Sequence, residues 1–181
     1  NSRGSTSDQT VVTVTNRAPT ANAGTDQSVV VSATVTLDGS ASSDPDGHTL
    51  PNFGWTQTGG PSVPFSSTAV SPTFTTAGSP TVITFTLTVT DSFGLSSAPD
   101  TVKVTVNDVA ITGLNATNNS PTVLGQSTSL TATIGSGSNI TFAWNFGDGS
   151  ATVSGATASR TYTATGSYTA TVTATNGVGS V

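Results

Sequence analysis

The chain has no cysteine and no glutamate, one histidine, and four basic residues, Arg3, Arg17, Lys103 and Arg160, in 181 positions. Without cysteine a thiol nucleophile is excluded, and the compartment stays open between a reducing one and an exported protein that does without disulfides. Four scattered cations and a net charge of −5 cannot build the basic stripe that a phosphate backbone requires, so nucleic acid is excluded as a partner. The missing glutamate removes a good helix former. All nine acids are aspartate (Asp8, Asp26, Asp38, Asp44, Asp46, Asp91, Asp100, Asp108 and Asp148), which favours turns and caps over helix interiors. Charged residues make up 7% of the chain, far below the usual quarter or so, and hydroxyl groups must supply solubility. No apolar run reaches membrane length, and no signal peptide or lipid motif is visible. The start at Asn1 without methionine reads as a processed product or a segment of something longer. A surface rich in Ser, Thr, Gly and Asn and poor in Lys predicts a secreted or cell-surface location.

What is present alternates. From Ile83 to Thr90 the apolar residues Ile83, Phe85, Leu87 and Val89 hold the odd positions and threonine the even ones, the pattern of a half-buried strand with one wet face. Tyr168 to Thr175 repeats it, and Val102, Val104 and Val106 form a third instance around Lys103 and Thr105. Threonine on the wet face keeps strand propensity high without adding charge. Between these runs lie Asp44-Pro45-Asp46-Gly47, Gly59-Gly60-Pro61, Gly78-Ser79-Pro80, Gly147-Asp148-Gly149 and Asn176-Gly177, turn clusters in which glycine supplies positive φ and proline a fixed one. Short strands at close spacing with no helical period predict an all-β fold of antiparallel sandwiches.

Self-comparison divides the chain. Phe53-Gly54-Trp55 is answered by Phe142-Ala143-Trp144, and the strand at 82–90 by the one at 167–175, giving module one at 17–108 and module two at 109–181. Asn1-Ser2-Arg3-Gly4-Ser5 is similar to Asn176-Gly177-Val178-Gly179-Ser180 and to Asp91-Ser92-Phe93-Gly94, the turn before module one's last strand. Residues 1–16, with a strand at Thr10–Thr15, are therefore expected to be the last strand of a preceding or neighbouring module. Module two is expected to stop before its own.

For chemistry the sequence offers little. His48 stands beside a turn, and with no cysteine and no Gly-x-Ser-x-Gly elbow there is no nucleophile and base pair; the chain is expected not to be an enzyme, and His48 to be a solvent-exposed turn residue. Asp44 and Asp46 set two carboxylates two residues apart in a tight turn, and Asp91 ends the long strand where sandwich topology could bring it alongside. Calcium takes about six to eight hard oxygen ligands of this kind; the competing reading makes these residues loop formers. Trp55 and Trp144 fall mid-strand, where sandwiches place a core tryptophan rather than a sugar platform. Asn145, Asp148 and Gly149 read as hairpin-turn residues. The triplets at Asn115, Asn118 and Asn139 match the glycosylation pattern but arise easily in an Asn- and Thr-rich chain. Lys103 points to the wet face by alternation, which argues against an isopeptide to asparagine.

Trp144-Asn145-Phe146-Gly147-Asp148-Gly149-Ser150 resembles the Trp-Asp-Phe-Gly-Asp-Gly signature of PKD (polycystic kidney disease) domains, with Asn145 where aspartate is usual. Tyr162-Thr163-Ala164-Thr165-Gly166-Ser167-Tyr168 is similar to the Tyr-x-x-x-Gly-x-Tyr stretch that follows it in the family. Module one resembles a variant branch through Asn16-Arg17-Ala18-Pro19-Thr20-Ala21-Asn22-Ala23-Gly24 and the stretch from Leu37 to Gly47, with Phe53 to Pro61 in place of the signature. The resemblance implies tandem immunoglobulin-like sandwiches of seven strands in an extracellular setting. In calcium-binding PKD-like domains an Asn at the module start, two Asp of an Asp-x-Asp-Gly loop and an Asp after the long strand are used. The matching residues are Asn16, Asp44, Asp46 and Asp91, so calcium in module one is the implied cofactor. Module two has Gly135-Ser136-Gly137-Ser138 and Thr175 in the corresponding places, and no site is expected there.

The function expected from these readings is that of a spacer or building block in a surface or extracellular array, with other copies or neighbouring modules of a longer chain as partners. Residues 8–16 could complete the open sandwich of a neighbouring chain and yield a head-to-tail filament, covering an edge that would otherwise invite aggregation. The plainer version has flanking sequence of a longer chain supply the missing strands. The alternative function is a carbohydrate- or protein-binding accessory module of a secreted multi-domain protein, with a glycan or surface protein as partner. That role needs exposed aromatics on one sheet face, for which Phe53, Phe65, Phe74 and Phe93 are the candidates.

Overall fold

A computed structural model describes residues 6–181; the sequence expectations for residues 1–5 lie outside the described residues. Among those residues every regular element is a strand, and no helix is long and apolar enough to cross a membrane.

Module one is organised by β5 (Thr81–Thr90), whose Ile83, Phe85, Leu87 and Val89 are fully buried. It pairs antiparallel with β3 (Asn52–Gly59) on one side and β6 (Asp100–Asn107) on the other, and β1 (Gln27–Val30) joins β6 in parallel. The opposite layer is the short antiparallel pair β2 (Thr34–Thr36) and β4 (Thr73–Thr75). Val35, Leu37 and Phe74 descend from it onto the β5 face, and Phe85 meets Phe74 and Phe65 at 5.1 and 5.2 Å between ring centroids. Alternation along β5 and β6 keeps threonine and Lys103 outside, so each strand buries one face and wets the other. Trp55 lies in the core with its indole N–H donated to the Ala69 carbonyl at 3.1 Å, which satisfies the one polar group it brings inside.

Module two faces one three-stranded sheet with another: β10 (Val153–Ser154), β9 (Thr141–Asn145) and β12 (Thr171–Thr175) on one side, β11 (Thr157–Thr161), β8 (Ser127–Thr133) and β7 (Asn115–Asn118) on the other. Trp144 repeats the arrangement of Trp55, buried and donating to the Gly155 carbonyl at 3.1 Å. Its core is smaller. Leu130, Ala132, Trp144 and Phe146 are the buried members of the cluster, and Tyr162, Ala170 and Val172 are only half-buried against it.

The reason is visible at β12. Alternation predicts one strand from Tyr168 to Thr175, but the ladder holds only Thr171–Thr175. In module one residues 81–83 pair with β6 alone, because the β3 ladder reaches only to Thr84. Among the described residues only Ser180 and Val181 come alongside β12, at Thr175 and Ala174, and β9 ends at Asn145, so residues 168–170 have no ladder to join. The first strands of the two modules also pair differently. β1 pairs in parallel with β6, whereas β7 turns to β8 and pairs antiparallel. The strand read at Thr10–Thr15 likewise makes no ladder with any described strand, and its Val11, Val12 and Val14 are 92%, 78% and 90% exposed.

Candidate functional site

An open groove of about 720 Å³ lies on module two. Leu130 from β8, Trp144 from β9, and Tyr162, Tyr168 and Ala170 from the approach to β12 line it. Tyr162 and Tyr168 stack at 4.2 Å, and their hydroxyls are used locally, donating to the carbonyls of Phe146 and Ala164. The rings therefore present apolar faces rather than polar tips. In module one the corresponding β5 residues, Ile83 and Phe85, are fully buried and have β6 paired beside them. The groove is thus the space that one further strand would fill, apolar on its floor and edged by unpaired backbone.

The second candidate is the Asp44-Pro45-Asp46-Gly47 turn. Asp44 is not a surface turn residue: its side chain is 0% exposed. Its Oδ1 accepts the N–H groups of Asp46 and His48, while its Oδ2 is buried with no partner. His48 is not solvent-exposed as the sequence suggested. Its ring packs on Phe93 at 4.5 Å, and its buried Nδ1 lies 3.5 Å from Asp44. Asp46 accepts from the Arg17 backbone N–H and Nε, both at 2.7 Å, and this guanidinium contact holds its carboxyl below the ordinary range.

Asn16 donates through Nδ2 to Asp91 Oδ2 at 2.7 Å, and Asp91 Oδ1 accepts from Phe93 and Leu95. Burial pushes the Asp91 carboxyl up, but these hydrogen bonds outweigh it and leave it below its usual value. The structure thus gathers Asp44, Asp46 and His48 into one cluster, with ligand atoms within 4.8 Å of one another, and joins Asn16 to Asp91 as a separate pair. Sequence reasoning missed Arg17, although it directly follows Asn16, and missed His48 as part of the cluster.

Asp148, read as a turn residue, carries more. It accepts from Ser150 Oγ at 2.6 Å, from the Ser150 N–H, and from Arg160 Nε of β11 at 2.6 Å. The Ser150 hydroxyl foremost, against an opposing push from burial and aided by the Ser150 N–H and Arg160, holds the carboxyl well below its ordinary 3.8, at about 2. A depressed folded-state value makes the stabilisation present above the unfolded value and lost as pH falls through the folded one. Module two is therefore expected to lose thermal stability between about pH 4 and pH 2. Asp148→Asn should flatten that part of a melting profile against pH. An unchanged acid limb in the variant would remove the assignment.

The aromatics expected to form a sugar-binding face do not. Phe74 is core, Phe53 and Phe65 pack half-buried against it, and Phe93 alone of the four is largely exposed, at 73%. Asn139, one of the glycosylation triplets, spends its Nδ2 on Asp108 and on the Gly78 carbonyl.

The K319L-like PKD domain model matches residues 23–106, and the PKD domain model matches residues 113–181. Among solved structures, the PKD domain from KIAA 1837 protein is 30% identical, covers 52% of this chain and is itself 91% covered, with a TM-score of 0.43. A nucleoside hydrolase-related hypothetical protein from Saccharophagus degradans, associated with carbohydrate metabolism, is 27% identical over 50% of this chain, TM-score 0.42; the match spans 26% of its length. The titin domains z1z2, solved in complex with telethonin, are 20% identical over 93% of this chain and 94% of their own, TM-score 0.46. No curated protein sequence matches.

Proposed function

The chain belongs to the PKD-domain family, as two immunoglobulin-like modules in tandem, and from that premise we propose that it is a non-catalytic building block of a cell-surface or extracellular array whose copies join head to tail by strand complementation. The observation that carries this is a pair of complementary features. Module two offers a groove with Leu130 and Trp144 on its floor and largely polar walls, beside a sheet edge with no further strand. Residues 10–15 form a strand-like Val and Thr segment with three valines in water and no ladder partner. Pairing the two removes apolar surface from water and satisfies a free backbone edge. The groove of one copy would receive residues 10–15 of the next. Sedimentation velocity over a rising concentration series tests it: growth into oligomers with concentration is expected, and a monomer at every concentration overturns it.

The Asp44 turn supports a second proposal, that module one takes a calcium ion. A buried carboxylate oxygen without a donor is costly, and a hard cation relieves it with the charge that carboxylates favour. Asp44 and Asp46 would hold the ion, and the Arg17 guanidinium would yield its place on Asp46. Bound calcium would lock the turn to the module start. At ten times Kd a ligand of the native state adds about 1.4 kcal/mol, so the melting temperature of module one should rise by roughly 6–11 °C in millimolar calcium. Asp44→Asn should abolish the rise. Equal shifts in the two proteins would refute a site at Asp44.

A further inference from the structure

Resting on the assembly reading above, we infer that the contact between copies reproduces the joint between modules one and two, which fixes the register of the donated strand. At the internal joint β6 runs to Asn107 and Asp108 closes it. The Asp108 carboxylate is buried and accepts from Ser138 Oγ at 2.7 Å, Asn139 Nδ2 at 2.6 Å and the Gly177 N–H at 3.0 Å. The next residue, Val109, donates its N–H to Ser138 Oγ at 2.8 Å. Asn176, which follows β12, accepts the Val178 N–H on its Oδ1. Asn139 also donates to the Gly78 carbonyl at 3.0 Å, tying the loop of module two to the loop before β5.

The front of module one repeats this arrangement with exchanged residue types. Asn16 stands for Asp108: where Asp108 accepts the Gly177 N–H next to Asn176, Asn16 bonds Asp91 itself. Arg17 donates its N–H to Asp46 as Val109 does to Ser138. Asp91 Oδ1 accepts the Phe93 N–H as Asn176 accepts that of Val178. The isolated bridges Thr20 to Ser43 and Thr112 to Ser136 hold the two loops at equivalent places. Asn16 therefore marks the end of a last strand, as Asp108 does.

Counting back from that junction, Val14, Val12 and Thr10 correspond to Val106, Val104 and Val102, which are buried in module one. Counting back from Asn176 against Asp91, the residues Gly166, Tyr168 and Ala170 correspond to Thr81, Ile83 and Phe85. In module one Thr81 faces Val106, Ile83 faces Val104 and Phe85 faces Val102 in an antiparallel ladder. The donated strand accordingly runs antiparallel to β12, with Val14 opposite Gly166, Val12 opposite Tyr168 and Thr10 opposite Ala170 of the receiving copy. All three receiving residues line the groove. Every joint along the assembly is then of one kind, whether it lies within a chain or between chains.

The chain has no cysteine of its own, so engineered pairs report cleanly. Thr13 and Ser167 correspond to Thr105 and Val82, which are partners in module one. The double variant Thr13→Cys, Ser167→Cys is expected to give, on mild oxidation, a ladder in multiples of 17.9 kDa. Thr13→Cys with Thr169→Cys, one pleat out of register, should cross-link at least about tenfold more slowly, because disulfide geometry tolerates little displacement. A faster shifted pair, or no cross-link in assembled chains, overturns the shared joint while leaving assembly in place. Monomers in sedimentation for both variants and the native chain would instead overturn the assembly reading beneath it.

Discussion

Replacing Val12 and Val14 together by aspartate should leave the chain monomeric at concentrations where the native chain self-associates, with the melting transition of module one unmoved. Both valines stand in water in the single chain, so neither contributes to its own folded core. In the groove each would bury a side chain worth about 1.5–3 kcal/mol, and the pair therefore about 3–6 kcal/mol. That is a loss of about 10²–10⁴ in association constant before the added cost of placing a carboxylate against Trp144 and the tyrosines. Sedimentation velocity reads the association and calorimetry the module-one transition. Val11 provides the control. In the proposed register it lies on the wet face, so Val11→Thr should leave assembly within a few-fold of native. Undiminished association of the double aspartate variant would show that Val12 and Val14 are not the anchor.

The second large effect is expected from Trp144→Ala. Trp144 is buried, and its indole N–H donates to the Gly155 carbonyl. Truncating a core tryptophan costs about 3–5 kcal/mol, a large share of the roughly 5–15 kcal/mol that holds a domain folded. The buried cluster of module two is short of a strand's worth of side chains, so its transition should move below that of module one by many degrees or vanish. Module one should still melt at its native temperature. Differential scanning calorimetry of the variant checks this, and a native-like module-two transition would contradict the role given to Trp144.

Much of the fold was legible in the sequence because alternation reports burial directly. β5 and β6 follow their Val, Ile, Leu and Phe pattern residue for residue, and both tryptophans lie in the core where mid-strand placement put them. What stayed hidden depends on partners that pattern does not encode. Tyr168 to Ala170 alternate as well as Thr171 to Thr175, yet only the latter form a ladder, since only they have β9 beside them. Phe74 read as a candidate surface aromatic because β4 is three residues long, too short for alternation to declare a face. The Asp44 turn looked solvated, and its burial under His48 and Phe93 arises from the loop after β5 folding back, with Ser92 donating to the Thr49 carbonyl. The ion pair of Asp148 with Arg160 crosses from a turn to β11 and has no sequence spacing that announces it. The similarity of the sequence at 1–5 to the stretches after β5 and β12 is readable as well, and it is what suggests residues 10–15 as a last strand.

The most direct measurement is a cryo-electron microscopy reconstruction of the assembled chain, with residues 8–16 traced. The result expected is a strand from one copy lying antiparallel along β12 of the next, Val12 and Val14 turned down onto Tyr168, Leu130 and Trp144. A map in which residues 8–16 pack elsewhere, with the groove of module two open or filled by another segment, would contradict it.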